Sequence, residues 1–237
     1  TLTSVGTTAT LAQWQEALRS VTYLNTSDTP NTLARTVTLV VNDGVLSSAA
    51  VTKMVSVSSV NDAPTLAGIT VNGTEDTTYT FTASTFTGSA YSDLEKSALV
   101  SLRVEKLPTS GTLKLSGTLV TAGQVIIASD LANLSYVPAA NENGPKAFTV
   151  TVSDGVSSSS TAMVTITLDP VNDAPTLTSG STVTYLEKGV GVPIDPALTV
   201  ADVDDVILNS ATVSIESPVT GDLLSLGNQD GINAAYD

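Results

Sequence analysis

Val60-Asn61-Asp62-Ala63-Pro64-Thr65-Leu66 is the stretch on which the organisation of the chain turns. It returns letter for letter as Val171-Asn172-Asp173-Ala174-Pro175-Thr176-Leu177. The offset between Asp62 and Asp173 is 111 residues, about the length of one all-β domain. Each copy follows an alternating, strand-like run and ends in a proline, which has no N–H with which to extend a ladder. The two copies read as joints between domains in a string.

The chain has 237 residues, 41% hydrophobic but only 4% aromatic. Thr, Ser and Val are conspicuous, which suits thin β-sandwiches with small core residues. Its 23 acidic and 9 basic side chains leave a formal net charge of -14. Such a surface repels phosphate backbones and argues against a nucleic-acid partner, while it attracts divalent cations. With no Cys and no His, thiol and Ser-His-Asp nucleophilic chemistry and the usual zinc sites are excluded. No apolar run is long enough for a membrane-spanning helix, so membrane insertion is not expected. Thr1 does not begin a signal peptide, and the expectation is a mature product or an excised segment.

Residues 1–24 open with a helical pattern: Leu11, Trp14 and Leu18 follow i, i+3, i+7 spacing, and Thr10 with Gln13 can form a capping box. Trp14 sits on the apolar stripe and reads as a core residue rather than a ligand platform. A strand-like Val21-Thr22-Tyr23-Leu24 follows. Val37, Leu39 and Val41 then alternate with Thr36, Thr38 and Val40 up to Asn42-Asp43-Gly44, and a second alternating stretch runs from Ala49 to Val57. That is a hairpin with Asp43-Gly44 at its turn.

In the middle of the chain Tyr79, Phe81 and Ala83 suggest one strand, and Val100, Leu102 and Val104 another. Thr109-Ser110-Gly111 and Ser116-Gly117 are turns around a short strand at 112–115. A helical or turn segment is expected near Ser129-Asp130-Leu131, and a strand containing Leu134 and Tyr136 ends at Pro138. Phe148, Val150 and Val152 alternate up to Asp154-Gly155, as do Val164, Ile166 and Leu168 into the second joint. Seven or eight short strands with regular turn signals argue for a β-sandwich.

The repeat extends beyond the joints. Asp43 and Asp154 also stand 111 residues apart, and Leu18, Val21 and Tyr23 match Leu131, Leu134 and Tyr136. Tandem similarity at this period indicates an array of like domains. After Pro175, Val183, Tyr185 and Glu187 lead to Val190 and Val192, then to Asp202-Val203-Asp204-Asp205 and a strand-like Ala211 to Ile215. The expected division is 1–63, the C-terminal half of a repeat; 64–173, a complete sandwich; and 174–237, the N-terminal half of a further repeat. The end pieces together hold 127 residues, close to one domain of the helix-containing variety. Either the chain is a window of a longer repetitive polypeptide, or the carboxy half of one copy combines with the amino half of the next. The second alternative would propagate a filament head to tail.

The hairpin Val152-Ser153-Asp154-Gly155, the run Val164-Thr165-Ile166-Thr167-Leu168 and the linker Pro170-Val171-Asn172-Asp173-Ala174-Pro175 resemble bacterial cadherin-like tandem repeats. Such repeats form the stalks of giant surface adhesins, including RTX-type ones. Residues 11–23 resemble a helix-containing variant of the same repeat. The resemblance covers essentially the whole chain. It implies an all-β fold of tandem Greek-key, cadherin- or immunoglobulin-like sandwiches with one short helix in the first unit, on a bacterial cell surface, with joints stiffened by Ca²⁺. It further implies that Asn61, Asp62, Asp93, Glu95 and Asp154 converge at the first joint, and Glu75, Asn172, Asp173, Asp202 and Asp204 at the second. If the ends pair in trans or the array continues, Asp43 and Glu187 take the roles of Asp154 and Glu75. All are oxygen donors, as a hard cation requires. The linker lacks the longer acidic run of animal cadherins, and Glu95 stands where the other unit has Asp204. In the plainer reading, Asp-Gly is an ordinary hairpin turn and Asn-Asp-Ala-Pro an ordinary linker.

Two other function classes make different demands on the sequence. A glycosidase needs paired carboxylates in a cleft, but the acids here fall at expected joints and turns. A carbohydrate-binding module needs exposed aromatics, whereas Tyr79, Tyr91, Tyr136 and Trp14 read as core or near-core. The expected partners are other copies or further repeats of the same polypeptide, with any surface or glycan ligand unassigned.

Overall fold

A computed structural model describes residues 1–4, 8–180, 182–227 and 231–232. The chain divides into two compact units, Thr1–Val171 and Asn172–Asp237.

In the first unit, helix α1 (Leu11–Arg19) is followed by strands β1 (Arg35–Leu39), β2 (Val51–Val55), β3 (Thr65–Leu66), β4 (Ile69–Thr74) and β5 (Tyr79–Thr80). Helix α2 (Ala83–Thr87) precedes β6 (Tyr91–Ser92), β7 (Ser101–Lys106), β8 (Thr112–Leu115), β9 (Thr118–Leu119) and β10 (Val125–Ile127). A 3-10 helix (Ala128–Asn133) leads to β11 (Leu134–Val137), β12 (Gly144–Ser153) and β13 (Ala162–Asp169).

Residues 64–169 form an all-β sandwich. One sheet has the order β10-β7-β12-β13-β4 and the other β5-β11-β8-β9, with β3 and β6 as a short separate ribbon. All pairings are antiparallel except β4 with β13, which run parallel. Alternation does what it must in a two-layer protein: every second residue of β7, β12 and β13 points inward. Leu102, Val104, Phe148, Val150, Val152, Val164, Ile166 and Leu168 are all buried, facing Leu113, Leu134 and Tyr136 of the other sheet. Phe81 is the aromatic hub, 5.1 Å from Tyr79, 5.5 Å from Phe86 and 5.8 Å from Phe148 between ring centroids. Ser116 and Gly117 both have positive φ, the signature of the tight turn joining β8 to β9.

Two features of this domain differ from the sequence reading. The strand expected through Ala83 stops at Thr80, and Ala83 opens α2. Phe81 and Phe86 are both buried. Five positions apart, they would face opposite sides of a strand; a helical turn sends both rings inward. Val100 was expected inside with Leu102 and Val104 but is exposed, since it lies just before β7 begins.

Among the described residues the members of this core all lie between Leu66 and Leu168. Thr10 and Gln13 form the expected capping box of α1. Trp14 and Leu18 are only half-buried and Leu11 is exposed, so the helix has no buried residue, contrary to the core role expected for Trp14. Residues 21–24 carry no regular strand. The hairpin β1–β2 does form, pairing Arg35 with Val55, Val37 with Lys53 and Leu39 with Val51. Shifted by 111, these are the pairs Lys146–Ile166, Phe148–Val164 and Val150–Ala162 of β12–β13. The bridges Asn42–Ser47 and Ser153–Ser158 obey the same shift. The hairpin is a residue-for-residue copy of the one that closes the sandwich.

In the second unit β14 (Thr176–Thr178) pairs antiparallel with β15 (Thr199–Ala201), echoing the β3–β6 pairing of Thr65 with Ser92. Residues 211–215, expected as a strand, have no regular structure. No described residue of this unit is buried.

Replacing Phe81 by Ala removes the ring that touches three others and should cost about 3–5 kcal/mol in urea unfolding. Leu119→Ala, at an exposed position of β9, should change stability by less than about 0.5 kcal/mol. Equal losses from the two substitutions would contradict this core assignment.

Candidate functional site: the acidic joint

The joint at Asn61-Asp62 is built by three segments of the first unit. The linker supplies Asn61 and Asp62, the loop after β6 supplies Asp93 and Glu95, and the turn after β12 supplies Asp154. Asn61 Nδ2 donates to Asp154 Oδ2 at 2.8 Å, to the Asp62 carbonyl at 2.8 Å and to Ser157 Oγ at 3.3 Å. Asp154 Oδ1 accepts from the N–H groups of Val156 and Ser157, both at 2.7 Å. Asp62 N–H donates to Glu95 Oε2 at 3.2 Å. Asp93 Oδ1 accepts from Ser97 N–H at 2.8 Å, closing the loop on itself.

Asp154 is buried, yet its carboxyl is held below the usual carboxylate range. The Ser157 N–H contributes most, then the Asn61 amide and the Val156 N–H. Donors to the charged form stabilise it. Tyr91 belongs to β6, opposite Leu66 of β3, and its Oη donates to the Ser97 carbonyl at 3.1 Å. Burial pushes its phenol upward, and the charges of Asp93 and Asp154 add to the shift. Ser97, Ser157 and Tyr91 were not singled out by the sequence as parts of the joint. The repeat gave no signal for Ser157, whose counterpart at the 111-residue offset is Leu46.

The linker geometry recurs in the second unit. Asn172 Nδ2 donates to the Asp173 carbonyl at 2.7 Å, and Asp173 N–H donates to Asp204 Oδ2 at 2.6 Å. Asp204 therefore does for Asp173 what Glu95 does for Asp62. Asp202 Oδ1 caps the turn by accepting from Asp204 and Asp205 N–H at 2.9 and 2.8 Å.

Glu75, in the first unit, is 1% exposed. Its Oε1 accepts from Val171 N–H at 2.6 Å, and its own N–H donates to the Asp169 carbonyl at 3.0 Å. Asp43 lies at the exposed turn of the β1–β2 hairpin, its carboxyl lowered by the Leu46 and Val45 N–H groups. Glu187 is exposed in a turn.

Whether these residues suit a cation can be judged from their oxygens. Asp93 Oδ2, Glu95 Oε1 and Glu75 Oε2 are shielded from solvent, and none has a hydrogen-bond partner among the described residues. A shielded carboxylate oxygen without a donor is costly, and a hard cation would satisfy it. Both oxygens of Asp154 are instead taken by N–H donors, and Asn61 acts as a donor, so these two form a clasp. No group of three or more Asp or Glu side chains stands at metal-binding spacing among the described residues. The joint offers open oxygens on Asp93 and Glu95 rather than a closed cage.

Asp154→Asn would set an amide donor against the Asn61 amide and should lower the thermal midpoint in chelator. Because the folded-state pKa of Asp154 is depressed, its contribution is present above the unfolded value of about 3.9 and is lost as pH falls through the folded value. The gap between wild type and variant should therefore be widest near neutrality and narrow below about pH 4. A constant gap across that range would exclude the charged clasp.

No curated protein matches the chain. A solved structure, an endo-fucoidan hydrolase of glycoside hydrolase family 107 (MfFcnA9), aligns at 19% identity over 58% of this chain and 22% of its own, with a TM-score of 0.26. The chain thus spans about a fifth of that protein's length. Residues 61–167 match the family model of a bacterial Ig domain, which supports a bacterial Ig-like domain running from the first joint to the last strand of the sandwich.

Proposed function

We propose that this chain is a non-catalytic, extracellular repeat segment of a bacterial surface fibre or adhesin stalk, of the cadherin-like kind, with Ca²⁺ stiffening its joints. The observation that carries the reading is the duplicated joint. The same Asn–Asp linker is tied by the same backbone hydrogen bond to an acid two residues after an Asp, in both units. A spacer made of like domains needs a standard connection, and a catalytic domain does not.

The match of residues 61–167 to a bacterial Ig domain supports a structural or adhesive role. Among the described residues no helix is long and apolar enough to cross a membrane. The acids engage backbone N–H groups at joints and turns, a pattern that favours a structural role over catalysis. Within the sandwich the tyrosines pack: Tyr136 is buried, and Tyr79 and Tyr91 lie against the core, which favours the stalk over a carbohydrate-binding module for that domain.

At the first joint Asp93 and Glu95 would hold the ion through their open oxygens. When bound, it neutralises carboxylates that otherwise repel and stabilises the folded state by mass action. The hydrogen bonds of Asn61 and Asp62 hold the linker against the loop that carries those carboxylates.

Removing Ca²⁺ with chelator should lower the melting temperature and broaden the scattering profile. The double variant Asp93→Asn, Glu95→Gln should weaken both responses by the share that the first joint contributes. Melting curves and scattering profiles indifferent to chelator would sink the metal reading.

A further inference from the structure

We propose that Asn25 is an acceptor for an N-linked sugar, transferred from a nucleoside diphosphate hexose, and that the first sugar ring rests on Tyr23. The proposal goes beyond the stalk reading and is independent of any cation.

Three asparagines, in Asn25-Thr26-Ser27, Asn72-Gly73-Thr74 and Asn133-Leu134-Ser135, have the Asn-x-Ser/Thr spacing that asparagine glycosyltransferases read. Spacing alone decides nothing in a chain so rich in Ser and Thr; the surroundings of the three do. Asn72 lies in β4, opposite Thr167 of β13. An extended strand in a ladder cannot fold its side-chain amide back onto the N–H two residues on. The Asn133 carbonyl accepts from Ser116 N–H at 3.0 Å, Leu134 is 0% exposed, and Ser135 of β11 is paired on both sides, with Thr80 and with Lys114. Neither segment can wrap into a transferase without giving up sheet pairing.

Asn25 already has the required shape. Ser27 N–H donates to Asn25 Oδ1 at 2.9 Å, a turn in which the side chain stands in for a backbone acceptor. Residues 21–29 are all exposed and lie in no helix or strand. A donor on Oδ1 draws electron density from the amide and makes its Nδ2 hydrogens more acidic. Nδ2 then bonds to the anomeric carbon as the carbon–oxygen bond to the diphosphate breaks. The nucleoside diphosphate leaves with that electron pair, and the amide gives up one proton to base. The Ser27 hydroxyl accepts from Thr29 N–H at 3.2 Å and keeps its own hydrogen for the transferase.

The neighbourhood also gives the sugar a seat. Asn25 Nδ2, the atom that would carry it, lies 3.5 Å from Tyr23 Oη, and Tyr23 is 44% exposed. A sugar ring has an apolar C–H face, and an exposed aromatic ring offers a rigid surface for it. Leu24, next in the chain, is 81% exposed. A bulky hydrated group beside it screens apolar surface that otherwise invites association.

Peptide mapping by mass spectrometry, on the protein isolated from the cells that make it, should find hexose on Asn25 and none on Asn72 or Asn133. In vitro, the purified chain with UDP-glucose and a soluble asparagine glycosyltransferase should take up glucose at Asn25. Asn25→Gln and Ser27→Ala should lose that uptake, and Ser27→Thr should keep it. None of these residues belongs to the sandwich core, so an unchanged melting transition of the middle domain is the control for folding. On the glycosylated chain the sugar C–H proton resonances should be shifted upfield by the phenol ring, and Tyr23→Leu should return them to free-sugar positions. Bare Asn25 in the native protein, hexose on Asn72 or Asn133 instead, uptake that survives Ser27→Ala, or sugar resonances indifferent to Tyr23→Leu would overturn the proposal.

Discussion

A β-strand is held only when its backbone N–H and C=O groups have a neighbour and its apolar face has a cover. Everything in this chain depends on whether that double condition is met. Between Leu66 and Leu168 it is met: two sheets close over Phe81 and the residues around it, and strands of two to ten residues persist. Outside those limits strand-like alternation continues, but among the described residues few of those stretches have a neighbouring strand. What survives there is what can be satisfied locally, a capped helix, one hairpin and one ribbon.

The acidic side chains follow a related economy. The molecule carries a net charge of -14 and gathers Asp62, Asp93, Glu95 and Asp154 at its first joint. The fold surrounds them with backbone N–H groups and one asparagine amide, so that charge is balanced by dipoles rather than by Lys or Arg. Only two ion pairs, Arg103–Glu105 and Lys146–Glu142, are found among the described residues, and neither is at the joint. Asn61 matters because it offers donors to three acceptors at once. An acid in its place would add charge where donors are scarce.

The parts of the fold that were legible in the sequence are those governed by parity. In β12, Phe148, Val150 and Val152 alternate with threonines, and the two faces meet different surroundings. The repeat of Val60–Leu66 likewise located the joint, and the equivalence of Glu95 with Asp204 emerged as the same hydrogen bond in both units. What stayed hidden depended on contacts distant in sequence. Strand β4 carries Gly73, a poor strand former, and its reason is spatial: a Cβ there would lie 3.2 Å from Leu168 Cδ2. The turn that brings in both Phe81 and Phe86 reads as a continued strand unless the core is already known. Residues 21–24 and 211–215 have good strand patterns and no strand, because periodicity describes a face and says nothing of whether a neighbour exists. At the joint, the residue types were readable, but the sorting of Asn61 and Asp154 into a hydrogen-bonded clasp, with open oxygens on Asp93 and Glu95, required geometry.

The parallel pairing of β4 with β13 has a consequence for load. These are the first long strand and the last strand of the domain, so the chain enters beside the start of one and leaves beyond the end of the other. Because the two run in the same direction over six paired positions from Ile69–Val164 to Thr74–Asp169, tension on the two linkers pulls them along their length in opposite senses. The ladder is then stressed in shear, with its hydrogen bonds loaded together instead of being peeled apart one at a time. Glu75 anchors the exit end through Val171 N–H, placing one more bond across the point where the pull is applied.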